Sequence, residues 1–365
     1  MLHHQKTTWK NTIAFCILFD LHDINIDKSH NGLLHFAEHL MFVETKNIKA
    51  NDLRIKFDLL FDTLYAHTSI DFLEINIVCS KIDLKEVCKI LKEMIYHWKC
   101  DEDQFISEQR NIVEEIKTLE NQIQNKATRS LDARIYDPKI NIIGDVELIN
   151  SFSYKDLYKI DNVWKKMLNL SSQHIIIAGA TLTPDESKNF NNLCNKKKYL
   201  KPIKFNQTKI ISSKYVSLPT VKAIIIKTNN SSPFFLILQR IFYFRHLSLN
   251  PKWDQAFTRE TNNLVFFIYS ENEKILDEKN CKKFLLNKPT IKEFLNAKNI
   301  VINHIESLLD GTNPEELIGW LDTFHIRNIP LLTGKSLLQI KNIFESIDYE
   351  SFSNEWKIIF KNKYI

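Results

Sequence analysis

The sequence predicts an α+β protein of two similar units, each an antiparallel-rich sheet with helices on one face. Three observations carry this. The chain has 365 residues, and at ~150 residues per domain that length suits about two domains. Strand-like and helix-like periods alternate along it without long runs of either. A polar stretch rich in Lys and Asn, roughly 181–214, is followed by a partial repeat of the same order. The units are therefore expected at 1–185 and 215–365, with 186–214 as the linker between them.

The elements follow in order. Residues 12–20, TIAFCILFD, and 174–180, HIIIAGA, are continuous apolar runs of strand length. Residues 72–79, FLEINIVC, alternate as a strand does. Residues 31–46, 83–98, 102–125 and 153–168 have helical apolar spacing, with Asp83, Asp101 and Ser153 as expected N-caps. In the second unit, 221–228 and 263–270 read as strands. Residues 233–247, 290–308 and 313–324 read as helices, and helical pattern continues to the end. The aromatic run FFLILQRIFYF at 234–244 reads as a core helix, apolar around most of its circumference.

Composition narrows the chemistry. Apolar residues make up 44% and charged residues 25%, which excludes a disordered chain. The 49 basic and 44 acidic residues are well mixed, so the net charge of +5 does not point to nucleic acid. No apolar run is long enough to span a membrane. The N-terminal apolar run has no small-residue cleavage site after it, which leads us to expect a cytoplasmic protein. The six cysteines, at 16, 79, 88, 100, 194 and 281, form no C-x-x-C pair and are expected as buried thiols. Neither common Gly-rich phosphate loop is present. His3 and His4, near the terminus, are expected to be inert.

One segment carries catalytic chemistry. His35-Phe36-Ala37-Glu38-His39 is an H-x-x-E-H motif on a predicted helix. Positions i and i+4 share a helix face, so both imidazoles can reach one ion, and Glu38 can take a proton from water beside it. Such a zinc site needs a third protein ligand and an open position for water. A second acidic helix follows, with Glu108 and Glu115 seven residues apart. Seven residues fall within ~20° of two full turns, so both carboxylates share a face. Glu115 is the natural third ligand, and Glu108 the acceptor that orients an imidazole N–H. Glu114 points elsewhere.

These residues resemble the M16 family of zinc peptidases, the pitrilysin-type or inverzincin peptidases. GLLHFAEHLMF is similar to the family's H-x-x-E-H-x-x-F signature, and EQRNIVEEI (108–116) to its second acidic helix. The 75 residues lying between His39 and Glu115 match the family's spacing. FDTLYAHTSID (61–71) resembles the edge-strand motif, and 136–180 the stretch leading to the closing strand of the first unit. The resemblance implies one Zn²⁺ per chain on His35, His39 and Glu115, with Glu38 as the general base. It implies substrate contacts at Ala66, His67 and Thr68 and, through TRETNNLVF (258–266), at Arg259.

Two departures stand out. Tyr65 replaces the family's substrate-holding Asn, and Phe266 stands where a Tyr normally stabilises the oxyanion. At this length the chain corresponds to one half of the family's clamshell. The resemblance therefore implies a second M16-like subunit supplying the Arg/Tyr pair, with a homodimer as the alternative. The expected function is zinc-dependent endoproteolysis of short or unfolded peptides. A dedicated role in leader or precursor maturation, such as that of a bacteriocin, is expected by family analogy. The alternative is a non-catalytic assembly or binding subunit.

Overall fold

The computed structural model describes residues 2–24, 28–69, 72–122, 124–127, 141–193, 210–218, 221–228, 233–249, 254–260, 263–270, 277–310, 313–322 and 335–360. The first unit comprises Met1–Asn121, Tyr136–Pro202 and Asn313–Gly319. The second comprises Gln122–Ile135, Ile203–Thr312 and Trp320–Ile365.

In the first unit the strands are β1 (Leu2–Lys6), β2 (Thr12–Asp20), β3 (Glu44–Thr45), β4 (Phe61–Thr68), β5 (Phe72–Ser80), β6 (Trp98–Lys99) and β7 (Gln173–Gly179). The helices are α1 (Leu33–Leu40), α2 (Ala50–Leu60), α3 (Leu84–His97), α4 (Glu102–Asn121), α5 (Val146–Ser151), α6 (Leu157–Leu170) and α7 (Pro184–Leu193). The main sheet runs β1-β7-β2-β5-β4, with β1 parallel to β7 and the remaining pairs antiparallel. The central strand β2 is apolar from Ile13 to Phe19 because both of its faces are buried there. Ile13, Phe15, Ile17 and Phe19 enter the main core, while Ala14, Cys16 and Leu18 are also fully buried.

Helix α3 shows why the amphipathic pattern is reliable here. Leu84, Val87, Cys88, Ile90, Leu91, Met94 and Ile95 are buried, and Lys85, Lys89 and Lys92 are exposed. Trp164 of α6 is buried against it and donates its indole N–H to the Ile95 carbonyl at 2.7 Å. The capping expectations at Asp101 and Ser153 are met. Asp101 Oδ1 accepts from Gln104 N at 2.9 Å, and Ser153 and Asp156 form a reciprocal box.

Several expectations are corrected. The helix expected over 31–46 ends at Leu40, because Glu44 and Thr45 pair with Lys99 and Trp98 across β3 and β6. Glu44 is buried there between Lys49 and Lys99, each at 3.1 Å, and accepts from Gln104 at 3.0 Å. The expected linker begins inside a helix. Helix α7 docks on the first unit through buried Phe190 and Leu193, two apolar residues in an otherwise polar run. The rest of 194–209 lies outside the described residues. His3 belongs to β1, is buried, and stacks on His174 at 6.0 Å, so its neighbourhood is ordered strand. Its burial pushes the His3 imidazolium pKa down to about 4.

The second unit has the sheet β10-β11-β9-β8, all antiparallel: β8 (Ile210–Ser217), β9 (Val221–Thr228), β10 (Asp254–Glu260) and β11 (Asn263–Tyr269). Its helices are α8 (Phe234–Leu249), α9 (Glu278–Leu286), α10 (Ile291–Leu309), α12 (Leu337–Ser346) and α13 (Tyr349–Phe360), while α11 (Pro314–Asp322) belongs to the first unit as far as Gly319. The aromatic run of α8 is core, with Phe235, Leu236, Ile237, Leu238, Ile241 and Phe242 buried. Among the described residues the cysteines are buried and in no disulfide, and burial pushes Cys79, Cys88, Cys100 and Cys281 up to about 12. Cys194 lies outside the described residues.

Phe36 of α1 is fully buried and stacks on Phe105 of α4 at 4.6 Å, joining the two helices that bear the motif residues. Replacing Phe36 by Ala removes that contact and leaves a cavity. We expect a loss of about 3–5 kcal/mol in unfolding free energy, measured by denaturant titration.

Candidate metal centre

Helix α1 is short and almost wholly buried. Leu33, Leu34, Phe36, Ala37 and Leu40 pack into the core, and this anchors the helix against rotation. His35, Glu38 and His39 then project from the remaining face, as i, i+3 and i+4 neighbours. His35 and Glu38 are themselves buried, at 4% and 8% exposure. Helix α4 supplies Glu108 and Glu115 from its own face, while Glu114 turns outward to pair with Lys117 at 2.7 Å.

The three expected ligands meet. His39 Nε2 lies 3.1 Å from Glu115 Oε2, and His35 Nε2 lies 3.6 Å from the same oxygen. One ligand atom from each of His35, His39 and Glu115 falls within 4.8 Å of the others. The imidazole rings stand 4.9 Å apart at 78°. Ligands ~2.0–2.1 Å from a tetrahedral ion stand about 3.3 Å from one another, so this set fits a zinc-sized cation with little adjustment.

The outer contacts decide which nitrogen of each ring is free to face a cation. The Ile143 carbonyl lies 3.0 Å from His35 Nδ1. A carbonyl only accepts, so Nδ1 carries the proton and Nε2 is left as donor to a metal. Glu108 Oε2 lies 3.4 Å from His39 Nδ1 and plays the same part there, as the sequence predicts. Asn111 steadies Glu108 at 3.2 Å. Burial works against charging His39, but hydrogen bonds to Glu108 and Glu115 and the charge of Glu38 outweigh it. They raise the His39 pKa to about 9. The neighbouring imidazoles of His35 and His39 hold the Glu115 carboxyl well below the usual carboxylate range.

Thr68 proves to be part of this cluster. It is buried, at 2% exposure, and its hydroxyl donates to Glu38 Oε2 at 2.5 Å. Ala66 is half-buried and His67 exposed on β4, the last strand of its sheet, with His67 opposite Glu74 of β5. Tyr65 is exposed beside them. Arg259 lies on β10 opposite Leu264, and Phe266 on β11 opposite Phe257. The side chains of Arg259 and Phe266 lie outside the described residues. Tyr269, three positions beyond Phe266, is buried, and its hydroxyl donates to Gln124 at 3.3 Å.

Sequence reasoning missed the Ile143 carbonyl and the bond from Thr68 to Glu38. The first is a backbone group 108 positions from its partner and leaves no side-chain signature. The second could have been suspected from the threonine that ends the edge-strand motif, Thr68 of β4.

Comparison with known proteins bears on the family and the fold. The model of the insulinase family, peptidase family M16, matches residues 20–141. The human mitochondrial-processing peptidase subunit beta is 28% identical over 134 residues, 36% of this chain. The match spans 27% of that relative's length. The first half of the periplasmic protease PqqL from Escherichia coli superposes with a TM-score of 0.66 at 14% identity, covering 99% of this chain and 87% of that one. A peptidase M16 inactive domain from Pseudomonas fluorescens superposes at 0.69 and 12% identity, covering 98% and 93%. Residues 20–141 thus resemble peptidase family M16 in sequence, and nearly the whole chain shares its fold with solved structures that include an M16 domain.

Proposed function

We propose that the protein is a zinc-dependent endopeptidase acting on short or unfolded peptides. The observation that carries the reading is the convergence of His35, His39 and Glu115 beside a buried, hydrogen-bonded Glu38. A structural zinc site favours a closed Cys-rich tetrahedron, whereas three ligands and an adjacent carboxylate suit hydrolysis. Zinc would be held by His35, His39 and Glu115 and would supply Lewis acidity toward a peptide carbonyl while acidifying water. Glu38 takes the proton of the attacking water and returns it to the leaving amine. Thr68 fixes one oxygen of that carboxylate, so the base meets water in one orientation. The end strand β4 offers an extended peptide a partner for strand addition along Ala66 and His67.

The oxyanion is the weak point. Phe266 has no hydroxyl, and the Tyr269 hydroxyl is spent on Gln124. Losing an oxyanion donor costs ~10²–10³ in rate. A second M16-like subunit bearing the Arg/Tyr pair fits this gap; a homodimer, the alternative assembly, would bring only a second Phe266. A dedicated role in maturing a precursor or leader peptide accords with such a two-chain enzyme. Phe266 also supports a second reading, a non-catalytic assembly subunit, as does kinship with a domain described as inactive.

Elemental analysis of the chain purified without chelator separates the two. About one zinc per chain is expected, and no zinc even after adding it back would overturn the peptidase reading. Glu38→Gln should keep the zinc and lower peptide cleavage by ~10²–10⁴. Cleavage at the wild-type rate would remove Glu38 from the mechanism.

Proton competition gives a further outcome. Zinc can bind Nε2 of His39 only when that nitrogen gives up its proton. With a pKa of about 9, zinc affinity should rise up to about tenfold per pH unit from pH 6.5 and level off near 9. Calorimetry in two buffers of different ionisation enthalpy should count the released proton. In chelator-treated protein the sign reverses. The His39 pKa is raised on folding, so its stabilisation is complete below about 6.5 and is lost as pH rises through about 9.

Thr68→Val should leave zinc content intact and lower kcat roughly tenfold or more with little change in KM, since bonds to charged groups contribute ~1.5–3 kcal/mol. Thr68→Ser should restore much of the rate. Equal kcat for Thr68→Val and wild type would show that Glu38 orients itself.

A further inference from the structure

The ligands come from two helices, α1 and α4, and one segment is bonded to both. Residues 141–152 cross the start of α1, where the Ile143 carbonyl takes the His35 Nδ1 proton at 3.0 Å. The same segment is tied to α4. Gln109 Nε2 donates to the Ile149 carbonyl at 2.7 Å and to the Phe152 carbonyl at 2.8 Å. Gln109 follows Glu108, the acceptor for His39, by one position.

The crossing is a backbone clasp. Gly32 N donates to the Ile142 carbonyl at 3.1 Å, and Asn141 N to Asn31 Oδ1 at 2.8 Å. Gly144 N is held by the Asn141 carbonyl at 3.0 Å and by Asn141 Oδ1 at 3.2 Å. Gly32 (φ 69°) and Gly144 (φ 88°) are both in the left-handed region. A Cβ on Gly144 would stand 3.1 Å from Gly32 Cα and 2.9 Å from Ile149 Cδ1. A Cβ on Gly32 would meet the same methyl at 2.9 Å. Two of the chain's 6 glycines thus face each other. Their contact sets how deeply the Ile143 carbonyl reaches toward His35. Ile149, buried under both, and the Asp145 cap on α5, 2.8 Å from Leu148 N, hold the segment's far end.

We infer that residues 141–152 are a positioning brace for the metal centre. The glycine clasp fixes the His35 tautomer with Nε2 toward the ion, and Gln109 fixes α4 so that Glu115 meets both imidazoles. The brace touches no metal or substrate; it acts through His35 and Glu115. The inference rests on the zinc reading above, and its test is arranged to fail separately.

In the chelator-treated wild type, ¹⁵N NMR of the histidines should show His35 as the Nδ1–H tautomer with a slowly exchanging proton. That readout needs no zinc. Gln109→Leu should keep the helical circular dichroism and weaken zinc binding ~10–100-fold, the range seen when outer contacts of metal ligands are lost. Gly144→Ala should do the same and also abolish the protected His35 proton. Where Gly144→Ala does not fold, Gln109→Leu and the wild-type spectrum carry the test. Leu193→Ala, in the buried face of α7, is the control for general destabilisation. The brace is overturned by a His35 Nε2–H tautomer in the wild type. It is equally overturned if Gln109→Leu binds zinc as tightly as wild type, or if Leu193→Ala weakens zinc as much for the same fall in Tm. A wild type that shows the His35 proton but takes no zinc would overturn the zinc reading alone.

Discussion

The structure of the site depends on one constraint: two imidazoles on a buried helix must both turn Nε2 toward the same point. A free imidazole has two tautomers and a broad second torsion, so helical spacing alone does not achieve this. Acceptors on the far side of each ring do. The Ile143 carbonyl takes one Nδ1 proton and Glu108 attracts the other. The first costs no charge and suits a ring that is 4% exposed. The second adds a carboxylate where His39 is less buried, and with Glu115 and Glu38 it raises the basicity of that ring.

This concentration of carboxylates around His39 has an energetic consequence. Three acids near one imidazole would repel each other without a cation among them, and in chelator-treated protein the imidazolium fills that role. A divalent ion does the same with more charge and shorter contacts. The cluster is therefore matched to a cation in either state, and protons and metal compete for one place. Glu38 stands slightly apart. Its oxygen is held by a neutral hydroxyl, not by a cation, so Thr68 orients the carboxylate without neutralising its charge.

Much of this was legible in the sequence. The helical spacing of His35, Glu38 and His39, and the two-turn spacing of Glu108 and Glu115, are local geometry, and local geometry is what periodicity encodes. The cores of β2, β5, α3 and α6 were legible for the same reason. Tertiary pairing was not. Helix α1 ends early because β3 finds β6 more than fifty residues on. Strand β1 exists because it joins β7 across most of the unit's length, and its own sequence, LHHQK, has no strand-like period. Helix α7 looked like linker because Phe190 and Leu193 are too few to create a visible apolar stripe.

The same distinction explains which parts of the site stayed hidden. Side-chain ligands leave a spacing in the chain, but backbone acceptors and left-handed glycines do not. In a chain with 6 glycines, however, each glycine costs conformational entropy on folding, and Gly32 and Gly144 stand where a Cβ would not fit. Gly32 immediately precedes the motif helix and Gly144 precedes the Asp145 cap of α5, so both sit at starts of helices, with a positive φ that other residues rarely adopt. Glycine scarcity was thus a signal in its own right. It marked the two points where backbone meets backbone, and between them lies the carbonyl that orients His35.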